Sequence, residues 1–258
     1  MFTNAVNLGE FALPQLNDCI ECSHRDTLLE SGACNPGACC VNSKSSRQVD
    51  RFFKDNPTVA ADYIDHVSWE LRAIAARYLP INCLEPMLHD ADEAVRRVLA
   101  YRVPVEWLAQ LREDTDREVR ITVADRLPEH QLELMADDPD YLVRVYVARR
   151  LPTGRLFRLL ADTDTEVRRI VAKRIPTVSL GLMINDPETS IRRIIAQRME
   201  IDDLLLISQD HDWTVRYEVA LRAPLEIVEQ MLNDSDDEVR QTAQHRRNIL
   251  SMGILEHE

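Results

Sequence analysis

The chain has 258 residues, with 31 lysines and arginines against 44 aspartates and glutamates, for a formal net charge of −13. That balance speaks against general binding to phosphate backbones or anionic membranes, and it permits basic protein partners. Aromatic residues make up 5% and glycines number six; a β-rich fold wants more of both, so composition leans to an all-α fold.

The opening stretch MFTNAVNLGEFALPQLND has neither a basic start nor a long apolar core, so it does not read as a signal peptide. No apolar run approaches the length of a membrane span. The expected location is the cytoplasm, where thiols stay reduced. Five of the six cysteines then crowd into CIECSHRDTLLESGACNPGACC, residues 19–40. In a reducing compartment such a cluster reads as metal ligands rather than disulfides. Cys19 and Cys22 form a C-x2-C hook, Cys34 follows after eleven residues, and Asn35, Pro36 and Gly37 make a turn before Cys39 and Cys40. Four thiolates suit either tetrahedral zinc or a cubane iron–sulfur cluster, and spacing alone leaves both open. Adjacent cysteines rarely face one centre, so one of Cys39 and Cys40 is spare. His24 is either a substitute for one thiolate or a surface histidine beside Arg25.

In SRQVDRFFKDNP (46–57), Val49, Phe52 and Phe53 at spacings of three and four predict a short amphipathic helix. It is expected to pack the cysteine module onto the downstream chain and to seal the open end. A flexible tether is the alternative, since SKSS (43–46) allows some mobility.

From about Pro57 to Arg247 the sequence repeats. Arginine recurs every 24 residues at Arg72, Arg96, Arg120, Arg144, Arg168, Arg192, Arg216 and Arg240. An aliphatic residue precedes each one. Four positions later stands alanine, from Ala76 to Ala220; six positions later stands a second arginine, from Arg102 to Arg246; eight positions later stands proline in most copies. In the copy from 162 to 185, Asp164 caps a helix. Val167, Val171, Ala172 and Ile175 share one face of it, and Pro176 stops it. The second half, with Leu180, Met183 and Ile184, has room for a short 3₁₀ helix or one or two α turns. Neither half buries its apolar side alone; stacked copies do, which makes a solenoid. Gln244, Arg247 and Asn248 replace core positions in the last copy, as a polar cap requires.

The first arginine of each repeat sits beside the apolar stripe and is partly buried, so it needs a partner. Aspartates recur in register ahead of each helix. The expected arrangement is an ion-pair ladder involving Arg96, Arg120, Arg144, Arg168, Arg192 and Arg216, preferred over an arginine-lined groove for nucleic acid. Cys83 reads as a small thiol at the edge of the core, and a role as a further ligand is the lesser alternative. The chain divides into a cysteine module (1–47), a linking helix (48–56), the repeat array (57–247) and a tail (248–258).

The V-R-x-x-V-A-x-R-L-P core resembles that of the leucine-rich repeat variant proteins. The segment from Cys19 to Pro57 resembles the iron–sulfur module of those members associated with nitrogen-fixation genes. The resemblance implies α and 3₁₀ helices alternating in a right-handed superhelix, with a 4Fe-4S cluster at the front. It implies cluster ligands at Cys19, Cys22, Cys34 and Cys40, where the Cys-Val step favours Cys40 over Cys39; Cys39 is the alternative. Zinc is the alternative metal.

No phosphate loop, H-E-x-x-H, G-x-S-x-G or C-x3-C-x2-C radical motif is present, and no histidine pairs with a cysteine as nucleophilic catalysis needs. An enzyme is therefore not expected. The functional expectation is a cluster-bearing scaffold that binds another protein, with a redox or sensing role in nitrogen fixation. An iron–sulfur carrier or electron-transfer protein, or a zinc-stabilised interaction scaffold, is the alternative. Neither nucleic acid nor membrane is an expected partner.

Overall fold

The structure, a computed structural model, describes residues 19–255, with side chains as far as 252. The reading of residues 1–18 as lacking a signal sequence lies outside the described residues. Those residues form helices and turns, and the one pairing of β type is an isolated bridge between Asn35 and Cys39. Backbone packing divides the chain into two units, Met1–Arg126 and Leu127–Glu258.

The first unit holds the cysteine module, a linking helix at Ser46–Asp55, and repeat helices at Trp69–Ala76, Glu93–Arg102 and Arg117–Arg126. The second holds Tyr141–Arg150, Thr165–Arg174, Thr189–Arg198, Trp213–Arg222 and the long final helix Asp237–Leu255. Within each unit, consecutive repeat helices lie side by side. Most of the repeat helices start where an aspartate supplies an acceptor for an otherwise unpaired N–H; Trp69–Ala76 and Thr189–Arg198 instead start after Ser68 and Glu188, with no side-chain cap bond. The Asp92, Asp140, Asp164 and Asp212 side chains accept from the backbone of Ala94, Leu142, Glu166 and Thr214 at 2.8–2.9 Å. Proline ends most of them. Where Asn248 replaces proline the final helix runs on to Leu255, past the expected array boundary at 247.

The second half of the repeat varies. Thr153–Leu159, Thr177–Met183 and Ile201–Ile207 are 3₁₀ helices throughout. Val105–Leu108 and Glu129–Leu132 begin as an α turn and tighten to 3₁₀, and Leu225–Met231 is α-helical over its length. Gly154 and Gly181 disfavour α structure in two of the first group, whereas the α-helical copies hold glutamates and no glycine. In the first copy Pro86 removes a donor, and the segment breaks into two 3₁₀ turns, Ile81–Cys83 and Glu85–Met87. Cys83 is half-buried there, as a thiol at the edge of the core.

Val95, Val119, Val143, Val167, Ile191 and Val215 and the alanines from Ala100 to Ala220 are fully buried, as are Leu108, Leu132, Leu156, Leu180 and Leu204. Burying each aliphatic side chain contributes roughly 1.5–3 kcal/mol. The alanine column places only a methyl group at each of these fully buried positions.

Arginine joins the copies in two ways. Arg72, Arg96, Arg144, Arg168, Arg192 and Arg216 each form a two-pronged pair with the aspartate 18 residues on, with Nε at 2.7–2.8 Å from Oδ2. The same guanidinium donates through Nη1 to a backbone carbonyl six residues back, as Arg168 does to Asp162 at 2.8 Å. Arg120 makes this second contact with the Asp114 carbonyl at 2.8 Å. The other arginine column points the opposite way. Arg174, Arg198 and Arg222 donate to the carbonyls of Ala148, Ala172 and Ala196, at 2.5–2.6 Å, in the preceding repeat. Arg126 reaches Ala100 and Val103 at 2.5 and 2.9 Å, and Arg102 reaches Ala76. These carbonyls end the preceding helix, where unpaired oxygens and the negative end of the helix dipole favour a cation.

Candidate metal centre

The cysteine module is built from short turns rather than regular structure. Cys19 and Cys22 lie on one turn, with the Cys22 N–H donating to the Cys19 carbonyl at 3.4 Å. A single π-type turn follows at Arg25–Leu29. Gly32, at φ 74°, takes the left-handed conformation that reverses the chain toward Cys34. The Asn35–Gly37 turn is fixed by the Asn35 side chain, which accepts from the Gly37 N–H at 2.9 Å. Asn35 and Cys39 exchange both backbone hydrogen bonds at 2.7 Å.

That bridge separates the two adjacent cysteines. In extended backbone, neighbouring side chains project to opposite sides. Cys40 lines a cavity together with Cys19, Cys22 and Cys34. Cys39 is buried away from it, its Sγ 3.7 Å from Asp55 Oδ2 and 3.9 Å from the Ala33 carbonyl. Burial, and after it the Asp55 carboxylate, hold the Cys39 thiol above its ordinary range, so it remains a protonated donor.

Arg25, Leu29, Pro36, Val41, Asn42 and Phe52 complete the wall of the cavity. Val41 and Phe52 are almost wholly buried. Burial pushes the Cys34 thiol up, and the neighbouring Cys40, Cys22, Cys19 and Cys39 push it further. Gathered thiolates repel one another, and a cationic centre reverses that effect. The donor set fits an iron–sulfur group: four soft ligands from three turns, an apolar wall, and one guanidinium to offset a net negative cluster. Among the described residues, no three His, Cys, Asp or Glu side chains are grouped closely enough to hold a single metal ion.

His24 is neither at the cavity nor on the surface. It is buried, its Nε2 2.8 Å from the Tyr63 hydroxyl, between the rings of Phe52 and Tyr63 at 5.4 and 5.9 Å. Burial, then the nearby Cys22, raise the Tyr63 hydroxyl to about 12, so it stays protonated beside the imidazole. Phe53 meets Tyr63 edge-on at 5.0 Å. The linking helix thus fastens the module to the first half-repeat, Pro57–Tyr63. Asn56 adds bonds from its amide to the carbonyls of Ala33 and Phe52 at 2.9 and 3.0 Å. These contacts, contributed by three separate elements, leave no signature in the local sequence around His24.

Stacked helical repeats joined by arginines, with a thiol-lined cavity in an N-terminal module, define a helical repeat protein carrying a cysteine-ligand domain. Residues 15–62 match the family model described as "LRV protein FeS4 cluster", and residues 117–140 match "Leucine rich repeat variant". A solved structure described as a leucine-rich repeat variant with a novel repetitive protein structural motif is 54% identical; the match covers 88% of this chain and 97% of that one, with a TM-score of 0.80. The chain belongs to the leucine-rich repeat variant family and shares its all-α repeat solenoid fold. It is also 40% identical over 82 residues to an uncharacterized 27.7 kDa protein in the nifB 3′ region of Rhodobacter capsulatus, a match spanning 33% of that protein. No described helix is long and apolar enough to cross a membrane.

Proposed function

We propose that this protein is a non-enzymatic repeat scaffold that carries a 4Fe-4S cluster on Cys19, Cys22, Cys34 and Cys40 and engages a protein partner in nitrogen fixation. The observation that carries the reading is the ring of four thiols round one apolar cavity, with the fifth turned away toward Asp55. Zinc draws its sulfurs to about 2.3 Å from one centre. The family description of residues 15–62 as an FeS4 cluster module favours a cubane over zinc. When bound, such a group supplies one-electron chemistry or a response to oxidants. The residues around it hold the ligands apart, exclude water through Phe52 and Val41, and tie the module to the repeats. The nitrogen-fixation context rests on the genomic description of the Rhodobacter relative. The partner-binding role rests on the repeat architecture, since stacked repeats offer regular surfaces for binding.

Anaerobic purification followed by iron and sulfide analysis and electron paramagnetic resonance tests the cluster. Stoichiometric iron with a signal that appears on dithionite reduction is expected. A colourless protein holding stoichiometric zinc would reverse the metal assignment.

A further inference from the structure

The helix Ser46–Asp55 has two faces. Val49, Phe52 and Phe53 point inward, and Phe52 lines the thiol cavity. Outward, Arg47, Arg51 and Lys54 are exposed. With Arg77 they line an open groove in which the only carboxylates are Asp50 and Asp55. Both carboxylates are engaged, Asp50 by Arg77 at 3.2 Å and Asp55 at 3.7 Å from the Cys39 Sγ. Arg47 and Lys54 have no carboxylate partner among the described residues. Four cationic groups against two anionic ones leave this groove positive in a chain of net charge −13 that has only three lysines.

The groove lies on the outward side of the helix whose inward Phe52 lines the thiol cavity. Arg51 donates to the Ala38 carbonyl at 3.2 Å, and Gln48 donates to the Gly37 carbonyl at 3.1 Å, on the loop that carries Cys39 and Cys40. A body seated on this face is separated from the thiol cavity by one helix, about 10–12 Å thick with its side chains. Resting on the cluster reading, we infer that the groove docks a small acidic one-electron carrier protein. Opposite charge guides the encounter, and the net negative charge of the chain as a whole favours approach of an acidic carrier at a positive patch such as this. In the exchange, one electron passes from the carrier's reduced centre to the oxidised cluster. The carrier is oxidised and the module reduced by one electron each, and no bond forms or breaks.

The test is calorimetric binding of a plant-type ferredoxin, an acidic carrier, to the full anaerobic protein and to R47E/K54E. A basic cytochrome c of similar mass serves as the control. Both substituted side chains are exposed, so unchanged iron content and unchanged reduction by dithionite should show that the variant is intact. The expected result is ferredoxin binding that weakens about tenfold or more in R47E/K54E and falls as salt rises, with no comparable binding of cytochrome c. Equal binding by the variant, or binding of cytochrome c at least as tight, overturns the inference. So does concentration-dependent self-association abolished by R47E/K54E, which would assign the groove to a second copy of this acidic chain. A protein that lacks iron yet shows the charge-dependent ferredoxin binding would defeat the cluster reading alone.

Discussion

Arg192 and Asp210 form the most buried link between two repeats. Arg192 Nε and Nη2 donate to the two carboxylate oxygens at 2.7 and 3.1 Å, and the side chains are 3% and 4% exposed. Asp210 Oδ1 also accepts from the Asp212 N–H at 2.9 Å, so it closes the turn that begins the next helix. One pair therefore sets both the spacing of the repeats and the start of a helix. Removing the arginine leaves a buried carboxylate without its partner. Arg192→Ala is expected to lower stability by about 3–5 kcal/mol, read by urea unfolding followed by circular dichroism. A loss under about 1 kcal/mol would mean that the pair is only a surface decoration.

Arg198 tests the other ladder. It donates to the carbonyls of Ala172 and Ile175 at 2.5 and 2.9 Å, at the end of the preceding helix. Alanine should cost about 1–3 kcal/mol by leaving those carbonyls unpaired. Lysine should restore less than half of the loss, because a single ammonium cannot reproduce the planar fork across two oxygens. Full rescue by lysine in the same unfolding experiment would show that charge alone suffices.

Much of this was legible in advance because both members of the first ladder are side chains that repeat in register. The second ladder was not, since its acceptors are backbone carbonyls, which every sequence has. The alanine column was visible, and its value as a close-packing position followed. That its carbonyls receive the arginine six positions into the next repeat did not. In the module, the cysteine spacing marked the donor set but left zinc and iron–sulfur open. The separation of Cys39 from Cys40 depends on the bridge to Asn35, a pairing that the turn residues suggest without fixing its register. The burial of His24 is not legible in its local sequence because its partners, Phe52 and Tyr63, lie on other elements.

Acid should unfold the repeats through their carboxylates. The hydrogen bond from Arg216 holds the Asp234 carboxyl below its usual range against the opposing effect of burial, and that from Arg97 does the same for Asp116. For such groups the folded-state pKa lies below the unfolded value of about 3.9. Their contribution is present above that value and is lost as pH falls through the lower, folded one. Little change between pH 7 and 5, followed by loss of helix signal below about pH 4, is expected in circular dichroism. A main transition between pH 6 and 7 would point to histidine instead.

Phe52 belongs to both the cavity wall and the interface with the first half-repeat. Phe52→Ala should destabilise the module by about 3–5 kcal/mol. It should also hasten cluster loss in air, followed as bleaching of visible absorption, while the melting of the distal repeats changes little. Bleaching at the wild-type rate would show that the aromatic wall does not guard the centre.

The most direct measurement compares Cys39→Ser with Cys40→Ser. Each protein is purified without oxygen and assayed for iron and acid-labile sulfide. Cys39→Ser should keep iron and sulfide near wild-type content, because that thiol faces Asp55. Cys40→Ser should lose most of both. Full retention in Cys40→Ser, or collapse of the centre in Cys39→Ser alone, would contradict the assignment of the four thiols that ring the cavity.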